Sequence, residues 1–202
     1  MKNIIALLIL VFLLLSGINP ADRLTWFLET MWVIPALILY FAYFRKKEIT
    51  TLLFCLLAIH CVILIVGGYY TYEKVPLGEW MKGIFGFTRN NYDRIGHLAQ
   101  GFVPAILFRE ILLCNKVIAD KRIWQIIVIF MMCMGFSAIF ELVEWLSAVT
   151  LGNASLAFLG SQGDVWDAQG DMFCCGIGAL ASLLTLSNLH DHSLAASGEG
   201  CA

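Results

Sequence analysis

The chain has 202 residues, of which 60% are hydrophobic and 14% are charged, and its formal net charge is −2. The absence of a basic stripe excludes a nucleic-acid-binding protein, and so apolar a composition excludes a sizeable soluble domain. At ~20 residues per span, the length predicts an all-α transmembrane bundle of about six helices. We expect a single integral membrane domain, residues 1–190, followed by a disordered cytoplasmic tail, residues 191–202.

The first half of the chain contains three predicted spans, at residues 3–18, 26–44 and 50–70. The first segment also has the flank and apolar core of a signal peptide. Its cleavage site is poor, so we favour an uncleaved span. The third span carries His60 near its centre. Such a residue is either a proton-handling group or, more commonly, a packed side chain that shares a hydrogen bond.

An amphipathic connection precedes the second half. It covers residues 71–91, where aromatic residues such as Trp80 and Phe85 alternate with Gly and Lys. This mixture is typical of a short helix that lies in the membrane interface. Three further spans are predicted at residues 92–113, 123–149 and 170–189. His190 and His192 then belong to the solvated tail.

Basic residues in the loops predict the orientation. With the N-terminus inside, the inner loops hold Lys2, Arg45, Lys46, Lys47, Lys116, Lys121 and Arg122. The outer loops hold fewer, namely Arg23, Lys74, Lys82 and Arg89. Because cytoplasmic loops carry an excess of Lys and Arg, we expect both termini in the cytoplasm. The start of span four, the end of span five and the start of span six then share the outer side.

The fourth span opens with a polar face. At ~100° per residue, Asp93, His97 and Gln100 lie within a narrow arc of the helix. Contact with lipid would be unfavourable for such a face, so we expect it to point into the protein or into a wet cavity.

The fifth span carries Glu141 and Glu144, which are neighbours on the helix surface. Two ionised carboxylates at this spacing repel each other, so they should share a proton or a cation. In the alternative interpretation they are structural side chains that bind Arg89 or Arg94.

The sixth span is preceded or opened by three aspartates, Asp164, Asp167 and Asp171. A stripe of small residues follows at every fourth position, at Gly170, Cys174, Gly178 and Ser182, and it predicts close packing against another helix. An aspartate near a helix start also stabilises the helix by ~1 kcal/mol. This alternative fits Asp164 best and Asp171 least, because Asp171 lies inside the helix.

Together the three faces predict one site. Its candidate catalytic residues are Asp93, His97, Glu141, Glu144, Asp167 and Asp171. Two arginines do not balance so many acids, so either several acids are protonated or a divalent cation binds among them. Carboxylates with one imidazole suit Mg²⁺, Mn²⁺ or Ca²⁺, with Zn²⁺ as a further option. The candidate metal ligands are His97, Glu141, Glu144, Asp164, Asp167 and Asp171.

Three blocks of the sequence resemble a known family. They are residues 91–97, residues 136–145, and residues 160–167 together with Asp171 and Met172. In this order they resemble the YjdF-like bacterial inner-membrane proteins across roughly residues 25–190. The resemblance implies a multi-pass protein of the bacterial inner membrane and implies no particular activity.

The order of these acids is also similar, more distantly, to that in VanZ-like proteins, which are associated with resistance to glycopeptide antibiotics. This sequence departs from their pattern in having Arg94 where Lys follows the Asp and Trp145 where Gln follows the Glu. It also lacks an Asn in the last helix before Gly176. The similarity therefore implies a shared site geometry in an envelope setting and not a resistance role.

Three classes of function remain open. An intramembrane enzyme would use the cluster to hold a metal, or as general acid and base, on a lipid-linked or envelope substrate. A carrier would use it as a proton or cation relay, although the chain shows no convincing inverted repeat. A structural protein would use it to lock three helices together. We expect an enzyme or a ligand-handling site whose partners are membrane lipids and an envelope or lipid-linked small molecule.

Overall fold

The computed structural model describes residues 1–44, 49–118, 121–152 and 156–196, and these residues form helices and short connections without strands. The α-helices are α1 (Lys2–Ser16), α2 (Arg23–Thr30), α3 (Val33–Leu39), α4 (Thr51–Tyr70), α5 (Pro76–Phe85), α6 (Tyr92–Cys114), α7 (Arg122–Leu151), α8 (Leu156–Leu159), α9 (Asp167–Thr185) and α10 (Ser187–Ala196), and a π-helix, Tyr40–Phe44, follows α3. The predicted all-α class is confirmed. The predicted basic loop Arg45–Lys47 lies outside the described residues.

Four segments in the described part of the chain are long and apolar enough to cross a membrane, and they are Arg23–Ala42, α4, α6 and α7. A fifth is formed only if α9 and α10, which meet at a bend of 58°, count as one span. The 15 residues of α1 extend about 22 Å at ~1.5 Å per residue, less than the ~30 Å hydrocarbon core. Length and composition thus support four or five spans where the sequence predicted about six.

The second predicted span is broken in the middle. Its first part, α2, ends at Thr30, and α3 begins at Val33. Pro35 explains the break, because it has no N–H to donate to the carbonyl of Met31 and its ring disfavours a regular preceding turn. The break places Glu29 and Trp32 at the junction of the two helices, next to the site described below.

The connection after α4 contains a short helix, as predicted. α5 begins at Pro76 and is followed by Gly86 with a left-handed φ of 68°, a combination that starts and stops a helix. Trp80, Ile84 and Phe85 are exposed on it. Its location in the membrane interface stays a prediction, which this exposed apolar face supports.

The central helix is α6, against which α4, α7 and α9 all pack. Two glycines allow α6 and α9 to touch. A Cβ at Gly101 would overlap the carbonyl oxygen of Cys175, and a Cβ at Gly178 would overlap that of Leu98. The predicted small-residue face of α9 is therefore a helix–helix contact, and it holds the N-terminal ends of α6 and α9 side by side.

The C-terminal helix corrects one prediction. The sequence placed His190 in a solvated tail, but α10 continues to Ala196 and His190 is fully buried. Its Nδ1 lies 2.8 Å from Nη1 of Arg109, and its Nε2 lies 2.9 Å from Oε2 of Glu110. Because Arg109 can only donate, Nδ1 accepts and Nε2 donates to Glu110. Residues 197–202 of the predicted tail lie outside the described residues.

Candidate functional site

The three predicted polar faces meet at one end of the bundle, where α6 and α9 begin and α7 nears its end. Five of the predicted residues are buried there, and they are Asp93, His97, Glu144, Asp167 and Asp171. The side chain of Glu141 is 10% exposed. Asp164 stands in the loop before α9, with 35% of its side chain exposed. The helical period thus brings together acids that are far apart in the sequence.

His97 lies at the centre of this cluster. Its Nε2 is 3.5 Å from Oδ1 of Asp93 and 3.8 Å from Oδ1 of Asp171. Its Nδ1 is 3.6 Å from Oε1 of Glu141 and has no hydrogen-bond partner among the described residues. Hydrogen bonds of this kind are ~2.7–3.2 Å long. One imidazole is therefore surrounded by carboxylates from its own helix and two others, each slightly too far away to accept a normal hydrogen bond.

Arg94 connects α6 to the start of α9. Its Nη1 lies 2.5 Å from Oδ1 of Asp171 and donates to the carbonyl oxygen of Asp167 at 2.8 Å. Its Nη2 donates to the carboxylates of Asp167 at 3.0 Å and Asp164 at 3.2 Å. Gly170 leaves space for the guanidinium, since a Cβ there would be 2.7 Å from Cζ of Arg94.

Arg89 binds the other side of the same aspartates. Its Nη1 donates to Asp167 at 2.5 Å and to Asp164 at 3.4 Å, and its Nη2 lies 3.6 Å from Oδ2 of Asp93. In the described part of the chain, neither arginine pairs with Glu141 or Glu144. The alternative in which these arginines hold the two glutamates is therefore wrong, because the guanidinium groups are engaged by aspartates.

Asp164 uses both of its carboxylate oxygens within the protein. The backbone N–H of Trp166 donates to Oδ1 at 2.9 Å, and Oδ2 pairs with the two arginines. The Trp166 hydrogen bond and the nearby guanidinium groups hold the pKa of Asp164 below its usual range. The alternative in which Asp164 caps the sixth span is confirmed only in part. Asp164 accepts a hydrogen bond in the turn before α9, but the helix itself begins at Asp167.

Two glutamates are buried without a compensating group. Neither Glu144 on α7 nor Glu29 on α2 forms a hydrogen bond or an ion pair with any residue that the structure describes. Sequence reasoning did not select Glu29. The signal was present, because Glu29 is a single acid in an apolar predicted span, and an ionisable residue within a span is a functional-site hypothesis by default.

A cavity of about 60 Å³ adjoins the cluster between α2, α4, α6 and α7. Its polar lining consists of Glu29, His60, Asp93, His97 and Gln100, and its aromatic lining consists of Trp32, Tyr72, Phe136 and Phe140. Oε1 of Gln100, Nε2 of His60 and Nε1 of Trp32 have no hydrogen-bond partner among the described residues. At ~10–15 Å³ per water-sized group, the cavity has room for about four.

Sequence comparisons relate the chain to known membrane proteins. A family described as "Predicted membrane protein (DUF2238)" matches residues 1–192. The chain is 40% identical over 195 residues to the inner membrane protein YjdF of Escherichia coli (strain K12), which covers 95% of this chain and 91% of that protein. No solved structure matches the chain. The resemblance to YjdF-like proteins and the multi-pass location in the inner membrane are confirmed.

Proposed function

The chain belongs to the DUF2238 family and is a multi-pass inner-membrane protein, and we propose that its buried Asp/His cluster binds a divalent cation and acts on an envelope or lipid-linked ligand. The proposed ligands are Asp93, His97 and Asp171. The single observation that carries the proposal is the spacing of three ligand atoms from these residues, which lie within 4.8 Å of one another.

The spacing suits a shared ion better than direct hydrogen bonds. Two ligand atoms at right angles around an ion, each ~2.1 Å from it, lie about 3.0 Å apart, and at ~2.4 Å they lie about 3.4 Å apart. The separations of 3.5 Å and 3.8 Å between Nε2 of His97 and the two aspartates are only slightly longer. Small side-chain movements would bring all three atoms onto one ion.

The surrounding residues support the same assignment. A metal-bound histidine usually presents its second ring nitrogen to a carboxylate, and Nδ1 of His97 faces Glu141 at 3.6 Å. We therefore assign Glu141 to orienting the imidazole, and not to binding the cation as the sequence suggested. Asp164 and Asp167 leave the ligand set because they have no place in the group of ligand atoms that lie within 4.8 Å of one another, whereas Asp171 belongs to that group although Arg94 also contacts it.

The proposed chemistry divides between the cation and the protein. A bound divalent cation would act as a Lewis acid toward an oxygen of the envelope or lipid-linked molecule. Glu144, which is buried and unpaired among the described residues, is the proposed general acid or base. Arg89 contacts Oδ2 of Asp93, the oxygen away from His97, and Arg94 contacts Oδ1 of Asp171, the oxygen that also faces His97. These contacts hold the two aspartates in place.

Metal-dependent stability tests this proposal on detergent-purified protein. A ligand at 100 times its Kd stabilises the folded state by ~2.7 kcal/mol, which for a chain of this size raises the unfolding midpoint by about 5–10 °C. We expect a chelator to lower the midpoint by this amount and added Mn²⁺ to restore it. His97→Ala and Asp171→Asn should remove the Mn²⁺ response, whereas His192→Ala, at an exposed position, should keep it. An unchanged midpoint with chelator, and no metal in the purified protein, would overturn the proposal.

We further propose six spans with both termini in the cytoplasm. In this arrangement α1 is the first span and the bent pair α9–α10 is the last. The packing of α1 supports it, because Ala6, Ile9 and Leu13 join an apolar cluster with α3 and α4, while Leu8 and Leu14 on the other side are exposed. The cation site then lies near the outer leaflet.

Reporter fusions test the orientation. We expect alkaline phosphatase, which is active only in the periplasm, to be active when fused after Gly152 and silent when fused after Ala196, the end of α10. The basic residues in the predicted inner loops are the physical reason, since they resist translocation. The opposite pattern of activity would refute the orientation but would leave the cluster on one side of the membrane.

A further inference from the structure

We propose that the cavity beside the cation site binds an ammonium group, supplied either by a small free amine or by the headgroup of an amine-bearing lipid. This site goes beyond the divalent cation site and does not depend on it. Its principal residue is Glu29, with Gln100 and the aromatic rings of Trp32, Phe136 and Phe140 as the other contributors.

The first support is a buried carboxyl group without a partner. Glu29 is 5% exposed and lines the cavity, and no cation pairs with it in the described part of the chain. The two nearby guanidinium groups, of Arg89 and Arg94, are already engaged by aspartates. A divalent cation at His97 would be shared with Asp93 and Asp171. A carboxyl group buried in this way either holds its own proton or pairs with a group that brings positive charge or N–H donors.

The second support is the presence of buried, unpaired polar atoms on two residues that line the otherwise apolar cavity. Oε1 of Gln100, a residue only 6% exposed, is an acceptor without a donor. An ammonium group brings three donors and one positive charge, which matches Glu29 and Gln100 together. The indole N–H of Trp32 also has no partner, and an oxygen next to the amine would accept from it. The matching ligand is therefore an amine with an adjacent oxygen.

The third support is the shape and composition of the space. Trp32 lies with its ring centroid 5.8 Å from that of Phe136 and 6.1 Å from that of Phe140. Aromatic rings beside a carboxylate attract ammonium groups, as in aromatic cages for alkylated amines. A volume of about 60 Å³ holds about four water-sized groups, which is the size of 2-aminoethanol and too small for a sugar or a nucleotide.

The test uses the full chain purified in detergent and 2-aminoethanol hydrochloride as the probe. Ethylene glycol has the same shape without the charge, and sodium chloride controls for ionic strength. We expect 2-aminoethanol near saturation to raise the unfolding midpoint by about 5 °C and ethylene glycol to leave it unchanged. Glu29→Gln should abolish the shift, because the amide cannot carry a negative charge. It fills the same space, so the cavity keeps its shape. Glu73→Gln, outside the cavity, should retain it.

A second variant guards against a folding defect in Glu29→Gln. Phe136→Leu keeps an apolar wall of similar volume but removes one ring, so we expect it to need several-fold more 2-aminoethanol for the same shift. Asp171→Asn should lose the Mn²⁺ response and keep the amine response. This pair of results separates failure of the ammonium site from failure of the divalent cation site.

Lipid nanodiscs distinguish the two sources of the amine. If the ligand is a headgroup, the wild-type protein should be more stable in phosphatidylethanolamine than in phosphatidylglycerol, and Glu29→Gln should lose the difference. If it is a free amine, only 2-aminoethanol should act. An equal response to ethylene glycol, an undiminished response in Glu29→Gln, or no response to either amine source would overturn the proposal.

Discussion

Replacement of Arg94 by methionine should destabilise the protein by about 3–5 kcal/mol, the usual cost of removing one partner from a buried ion pair. Arg94 lies 2.5 Å from Asp171, whose side chain is only 2% exposed. Methionine fills a similar volume but removes the positive charge that lies between Asp171 and Asp167. Asp171 is then left without an arginine partner. The free energy of unfolding in mild detergent, measured by denaturant titration, gives the loss.

A matched control exists at the opposite end of α6 and α9. Arg122 pairs with Asp191, with about four-tenths of each side chain exposed, so Arg122→Met should cost less than ~1 kcal/mol. Adding Asp171→Asn to Arg94→Met should recover part of the stability, because it removes the uncompensated charge. If Arg94→Met costs no more than Arg122→Met, the arginine does not hold the site together.

Gly101→Val should cost at least about 3 kcal/mol, at or beyond the upper end for overpacked interiors. A Cβ at Gly101 would meet the backbone carbonyl of Cys175 and not a flexible side chain. Relief therefore requires α6 and α9 to separate, which would also pull Asp93 away from Asp171. Loss of the Mn²⁺ response should accompany the loss of stability.

Gly135→Val is the control for this substitution. Gly135 lies within α7, and nothing stands within 4 Å of a Cβ built there. We expect little change in the free energy of unfolding, because the side chain has room and valine has only a slightly better helix propensity than glycine. A loss at Gly101 no larger than at Gly135 would show that the two helices do not need their close contact.

The positions of Asp93, His97, Glu141 and Asp171 followed from the sequence for simple physical reasons. Long apolar runs fix the helices, and the period of 3.6 residues fixes which side chains share a face. Short loops then force neighbouring spans to run in opposite directions, so polar residues at alternate ends lie at one depth. The small-residue face of α9 also predicted that this helix packs closely against another one.

The pairing of charges did not follow from the sequence, because periodicity gives a direction around a helix and no partner. By periodicity alone, Arg94 could pair with either Glu141 or Asp171. In the structure its guanidinium packs against Gly170, and this close approach places it beside Asp171. His190 was misplaced for the same reason. Its partner Glu110 lies 80 residues earlier, and a polar end segment gives no sign of burial.

Anomalous scattering from crystals of the full chain grown with Mn²⁺ tests the cation site most directly. We predict one strong peak between Nε2 of His97 and the carboxylates of Asp93 and Asp171, with Glu141 facing the other ring nitrogen. The same crystals of His97→Ala should lack the peak, and those of His192→Ala should keep it. Clear density for the three side chains with no anomalous peak between them would contradict the proposed divalent cation site.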